Sequence, residues 1–412
     1  MNMNYSIKSL FTSTTITSLL FLCACDSSTE PYTLPDLSSN QRIVLEGSNT
    51  FALDLLKTVI QEENQNVLIS PYSAAVALGM TANGAINETQ QQILNTIGTN
   101  NLSIETSNES QQSLANLLKD ADPSIDFLQA NSIWSNDQYT INPSFHTTVQ
   151  HYFDAEAKAL DFSDGEKAKR EINRWVENKT NDKIKDLIKD VTTDHVMFLV
   201  NAIYFKADWT TEFDKDATYM GTFYKEDGST SSTKMLTADN YPFYVSHKEG
   251  MMYYQLPYGN EQYRLSILMP TDGKSLQELA EMLTKEDLEY LNNNVTMQSQ
   301  TLHLPLFEIE YEKQLNKVLS KLGMPLPFSQ DAAEFDQLVL GNHQLFISEV
   351  IQKTYMKVDE VGTEAAAATA VEIWTLSATE PTTAINRPFL FFISEQHTGA
   401  ILFEGMLQDP SL

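Results

Sequence analysis

The apolar positions of this chain recur at two spacings. In EKAKREINRWVENKT (166–180), Ile172, Trp175 and Val176 stand three and four residues apart on a charged background, which predicts a helix with one buried stripe. FALDLLKTVI (51–60) reads the same way. In NVLISPYSAAVALGM (66–80), Ser70 stands where an N-cap belongs and Pro71 at the first helical position, so a helix is predicted to start there. YEKQLNKVLSKLG (311–323) puts Leu315, Val318, Leu319 and Leu322 on one stripe, with Gly323 as C-cap. Other stretches read as strands. MFLVNAIYF (197–205) is apolar nearly throughout and predicts a central strand; YRLSILMP (263–270) and TLHLPLFEIE (301–310) alternate. PFLFFISEQHTGAILFEGM (388–406) predicts two strands joined at Gln396–Gly399. Helices fall mostly early and strands mostly late, so the fold class is mixed α+β.

One stretch fits both periods. DEVGTEAAAATAVEIWTLSATEP (359–381) has a run of alanines that favours helix, with Thr363 as a cap. At period two, one face is Thr363, Ala365, Ala367, Thr369, Val371 and Ile373 and carries no charge. The other face holds Glu364 and Glu372. That division suits a strand with one buried and one wet side, and no proline interrupts it before Pro381. The segment is compatible with exposure in one state and a sheet strand in another.

Charge narrows the partners. Asp and Glu number 55 against 27 Lys and Arg, a net charge of −28, so there is no basic excess for phosphate and nucleic acid is not expected. Residues 1–24 carry one charge, Lys8, before an apolar run too short for a membrane span, and read as a signal peptide. Leu22-Cys23-Ala24-Cys25 resembles a bacterial lipobox, which implies a lipid on Cys25, anchorage to the cell envelope and no other membrane contact. The leaflet is left open. Residues 25–45, polar with two prolines, read as a tether of about 20 residues reaching ~65 Å. Residues 46–412 read as one domain. Both cysteines lie at 23 and 25, so the mature domain has no thiol for catalysis or a disulfide.

No catalytic constellation is found. G-x-S-x-G, H-E-x-x-H, the P-loop and G-x-G-x-x-G are all missing. His146 and His151 are the closest histidine pair, at a spacing that shares a helix face poorly. Neither enzyme activity, metal nor cofactor is expected.

Six segments, in order, resemble the serpins: 66–93, 160–188, FLVNAIYFKADWTTEFD (198–214), 302–324, DEVGTEAAAATA (359–370) and NRPFLFFISEQHTGAILFEGMLQDP (386–410). The resemblance implies three sheets, eight or nine helices and an exposed reactive-centre loop at the ambiguous stretch. It implies a suicide inhibitor of serine proteases, acting as a monomer. The target attacks the loop and forms an acyl-enzyme. The cleaved loop then inserts into the central sheet and distorts the protease. The hinge would be Glu360, Gly362, Thr363, Glu364, Ala365, Ala366, Ala367 and Ala368, of which Thr363 and the four alanines are small enough to enter a packed sheet. From Thr363 to Leu376 is roughly 45 Å as a strand.

The family's spacing puts the reactive bond at Leu376-Ser377, open by about one residue. Leu376, with Ile373, Trp374 and Thr375 upstream, suggests chymotrypsin-like, subtilisin-like or elastase-like targets. Papain-like cysteine proteases and a non-inhibitory binding protein are the alternatives. By the same resemblance Trp209 and Glu360 mark where the loop first enters the sheet. Ser70, Ser73 and Asn201 match the polar cluster that controls opening. The family's usual histidine there is Gln352 in this chain, which donates and accepts but does not titrate.

Overall fold

The strand expected over 197–205 runs from Met197 to Asp208, inside a six-stranded sheet. The structure is a computed structural model and describes residue 1 and residues 35–363 and 381–412. Across the sheet the order is Phe307–Gln314, Glu349–Val358, Gly362–Thr363, Met197–Asp208, Asp126–Asn136 and Glu156–Leu160. Glu349–Val358 also pairs directly with Met197–Asp208, in parallel, from Glu349 opposite Phe198 to Thr354 opposite Ile203. Only beyond that point does Gly362–Thr363 come between them. The apolar run of 197–205 follows from cover on both faces. Helix Gly165–Lys179 and residues 184–191 bury Phe198, Val200 and Ala202 from one side. Helix Pro71–Ala82 packs on the strand as well.

A second sheet has nine strands. Its path is Val67–Ile69, Ile401–Leu407, Phe389–Glu395, Tyr263–Pro270, Met251–Tyr258, Thr230–Lys248, Thr296–Pro305 and Thr382–Ala384, with Tyr219–Tyr224 on Thr230–Lys248. The long strand Thr230–Lys248 shifts register between Ala238 and Tyr241. Such a bulge re-aims a strand. Among the described residues the strands form two sheets, and the third expected from the resemblance is not separated from the second. The hairpin expected over 388–406 is present, as Phe389–Glu395 and Ile401–Leu407.

Among the described residues there are nine α-helices. The helix expected over 51–60 begins earlier and spans Ser39–Ile60. Ser38 accepts from Gln41 N while Gln41 Oε1 takes the Ser38 N–H, a capping box. The tether read as 25–45 therefore gives way to helix from residue 39. The stretch 311–323 divides: Phe307–Gln314 is a strand paired to Glu349–Val358, and the helix is only Asn316–Lys321. Gly323 caps it at φ +109°. Likewise 301–310 divides between the two sheets at Leu306. His146 and His151 share helix Pro143–Phe153, and no cluster of metal-binding side chains occurs among the described residues. No helix among them is long and apolar enough to cross a membrane.

Candidate functional site

Where Glu349–Val358 and Met197–Asp208 part, the chain makes a tight turn at Asp359-Glu360-Val361-Gly362. Asp359 forms it: its N–H donates to Gly362 O at 2.9 Å, and its Oδ1 accepts from Val361 N at 3.0 Å. This is the backbone-mimicking turn that aspartate favours. Gly362 and Thr363 then lie between the two strands, with Thr363 opposite both Val358 and Ala207, and Gly362 opposite Asp208. Glycine is required here by space. A Cβ on residue 362 would sit 2.0 Å from Ala207 O and 2.6 Å from Asp208 Cα.

Aromatic rings frame this entrance. Trp209 stacks on Tyr258, 4.4 Å between centroids and 9° between planes, and Phe213 packs on the Trp209 edge. Trp209 Nε1 donates to Asp359 O at 2.9 Å, and Trp209 N donates to Val361 O at 2.7 Å. The Tyr258 hydroxyl meets Thr363 Oγ1 at 2.6 Å. Burial pushes the Tyr258 phenol above its usual range, so it stays a neutral hydrogen-bonding partner. Glu360 is buried, accepts from Thr218 Oγ1 at 2.8 Å, and its carbonyl takes the Phe213 N–H at 2.8 Å. Asp359 Oδ2 is 3.4 Å from Lys357 Nζ.

Below the entrance the sheet is closed by a row of amides. Asn131, Asn201 and Gln352 are register neighbours on three adjacent strands. Gln352 Nε2 donates to Asn201 Oδ1 at 3.0 Å between strands Glu349–Val358 and Met197–Asp208. It also donates to Ser70 O at 2.9 Å, while its Oε1 accepts from Ser70 N at 2.9 Å. Asn201 Nδ2 donates to Asn131 Oδ1 at 2.6 Å and to Ser73 O at 3.1 Å. Ser70 is the N-cap of helix Pro71–Ala82, accepts from Ser73 N, and donates to Leu402 O at 2.6 Å. All four predicted residues of this cluster are buried, so every polar atom must find a partner inside.

The structure thus brings together Trp209, Glu360, Gly362 and Thr363 at the entrance, and Ser70, Ser73, Asn201 and Gln352 beneath it. Glu364, Ala365, Ala366, Ala367, Ala368, Ile373, Trp374, Thr375, Leu376, Ser377 and Cys25 lie outside the described residues. Sequence reasoning missed Tyr258, Asp359 and Asn131. Asn131 had a signal, an amide that with Gln129 interrupts the run DFLQANSIWS. Tyr258 had none, because its partners come from distant segments.

A family model described as Serpin (serine protease inhibitor) matches residues 46–410. Human antithrombin-III is 31% identical over 360 residues, 85% of this chain and 78% of that protein. Human Serpin B4 is 31% identical over 387 residues, 89% of this chain and 99% of that protein. The native-state structure of tengpin, a thermophilic serpin, matches with a TM-score of 0.80 at 30% identity, over 92% of this chain and 96% of that one. Human thyroxine-binding globulin in complex with thyroxine matches with a TM-score of 0.82 at 27% identity, over 90% of this chain and all of that one, 100%. This chain belongs to the serpin family and has the serpin fold.

Proposed function

We propose that this protein is a suicide-substrate inhibitor of serine proteases with chymotrypsin-like, subtilisin-like or elastase-like specificity. The observation that carries this reading is the seating of Gly362 and Thr363 between the two central strands, ahead of a sheet that is closed below them. Thr363 has its side chain inside, as the period-two division requires of its face. If the chain were to continue in the same register on insertion, the period-two division would take Ala365, Ala367, Thr369, Val371 and Ile373 inward and leave Glu364 and Glu372 outward. A charged face, or a bulky one at the hinge, would oppose this insertion; here the face is uncharged throughout and small from Thr363 to Thr369. The reading includes a covalent acyl complex at Leu376-Ser377, action as a monomer, and a lipid anchor on Cys25 that holds the domain at the cell envelope.

A second reading, a ligand carrier, draws on the likeness to thyroxine-binding globulin and on a cavity of about 410 Å³ lined by Arg42, Leu53, Lys285, Leu288 and Phe392.

The test is to mix the purified chain with chymotrypsin-like, subtilisin-like, elastase-like and papain-like proteases. Denaturing gels and intact-mass analysis of the released peptide follow. A denaturant-resistant complex and a peptide starting at Ser377, or one residue later, are expected. Clean cleavage without a complex, and without a rise in heat stability of the cut product, would move the assignment to the carrier.

A further inference from the structure

Glu404 lies in strand Ile401–Leu407 with no exposed surface, and neither of its carboxyl oxygens has a hydrogen-bond partner among the described residues. Buried polar groups are satisfied in nearly all native folds, so this exception asks for a reason. Its backbone is held between Ile69 and Phe392. The next residue back, Phe403, turns to the central sheet, where its ring centroid is 6.0 Å from that of Phe205. Side chains alternate along a strand, so Glu404 faces the other way, the side on which helix Ser39–Ile60 packs.

The charged neighbours are few. From helix Ser39–Ile60, Asp54 acts on Glu404 as a like charge, and Lys57 acts on Asp54. Helix Pro71–Ala82 and strand Val67–Ile69 carry no charged residue. Strand Phe389–Glu395 carries only Glu395, whose carboxylate accepts from the N–H groups of His397 and Thr398. Among the described residues no cation is hydrogen-bonded or ion-paired to Glu404. Burial, with Asp54 adding to it, holds its carboxyl well above the ordinary value of 4.5.

Two residues along the same strand, the Leu402 carbonyl accepts from Ser70 Oγ. We propose that Glu404 is a pH-sensitive weak point of the native fold: a buried carboxyl group whose ionisation loosens the strand that seats Ser70, and with it the amide row that keeps the central sheet closed. The sign follows from proton uptake. The unfolded chain releases this proton near the ordinary value and the folded chain keeps it, so folding binds a proton above pH 4.5. The native state loses stability as pH rises from there, and recovers it in acid.

The test is heat unfolding of the full chain, E404Q and E404M from pH 5 to pH 9, with the half-life of the native state at a fixed elevated temperature as second readout. The amide of E404Q keeps the shape and does not ionise; E404M replaces the carboxyl by an apolar chain of similar length. The unmodified chain is expected to lose stability with rising pH more steeply than E404Q. E404M is expected to raise the midpoint at pH 8 by roughly 3–6 °C and to lengthen the half-life several-fold. Parallel pH profiles for the unmodified chain and E404Q would overturn the proposal. So would an E404M protein less stable than the unmodified chain at every pH. No protease enters this measurement, so its failure is separable from failure of the inhibitory reading.

Discussion

Gln352 makes three hydrogen bonds with one amide, two to the backbone of Ser70 and one to Asn201. It therefore ties the cap of a buried helix to the two central strands. Replacing it by alanine leaves the Ser70 N–H, the Ser70 carbonyl and Asn201 Oδ1 without this partner inside the protein. The expected cost of Q352A is about 2–4 kcal/mol, read as a lower midpoint and a shorter native half-life. Q352H tests the missing titration. A buried imidazole prefers to be neutral, so it is charged in the unfolded chain first. Its native state should weaken as pH falls through about 6.5, a step the unmodified chain lacks at this residue. A flat profile for Q352H between pH 5 and pH 8 would count against that account. The sequence named Gln352 and its partners through the family's pattern. It did not show that Asn131 completes the row, because that depends on which strands become neighbours.

The hinge is the element on which the proposed function turns. Gly362 is placed where a Cβ would overlap Ala207 O, so the hinge seats only because it has none. G362A should expel residues 362 and 363 from between the strands and break the contact of Tyr258 with Thr363. Overpacking of this kind costs about 1–3 kcal/mol. The variant should be cut faster by proteases at residues 359–363 and should divert turnover from complex toward simple cleavage. Unchanged limited proteolysis would show that the seating is not held by this fit. At the element scale, local pattern succeeded where a segment carries its own punctuation. Ser70-Pro71 started a helix and Gln396–Gly399 turned a hairpin. It failed where tertiary pairing overrode propensity. Tyr311–Gln314 reads as helix but is a strand, because Glu349–Val358 offers it a complete ladder. The helix at Ser39 was hidden because its capping residues, SSNQ, look like linker.

The whole molecule sets a closed sheet, a seated hinge and a long segment, 364–380, between two described strands. If the inhibitory reading holds, the native form is kept by a barrier rather than by lowest free energy, and its stability is a rate. Glu404 and Gln352 then act on the same barrier from opposite sides. The proposed anchor belongs to this scale too. C25S should abolish incorporation of labelled fatty acid in producing cells and move the protein from the membrane fraction to the soluble one. Retention of both label and membrane association in C25S would remove the anchor from the account.

By itself the sequence determined the α+β class, the family, the apolar central strand, the helix cap at Ser70 and the small-residue face of the hinge. Each of these is written in local spacing or in residue type. The tertiary structure alone decided that Thr363 already lies between two strands, that Tyr258 meets it there, and that Glu404 has no partner among the described residues. These are facts about which distant segments meet, and no local pattern encodes the neighbour that burial will supply.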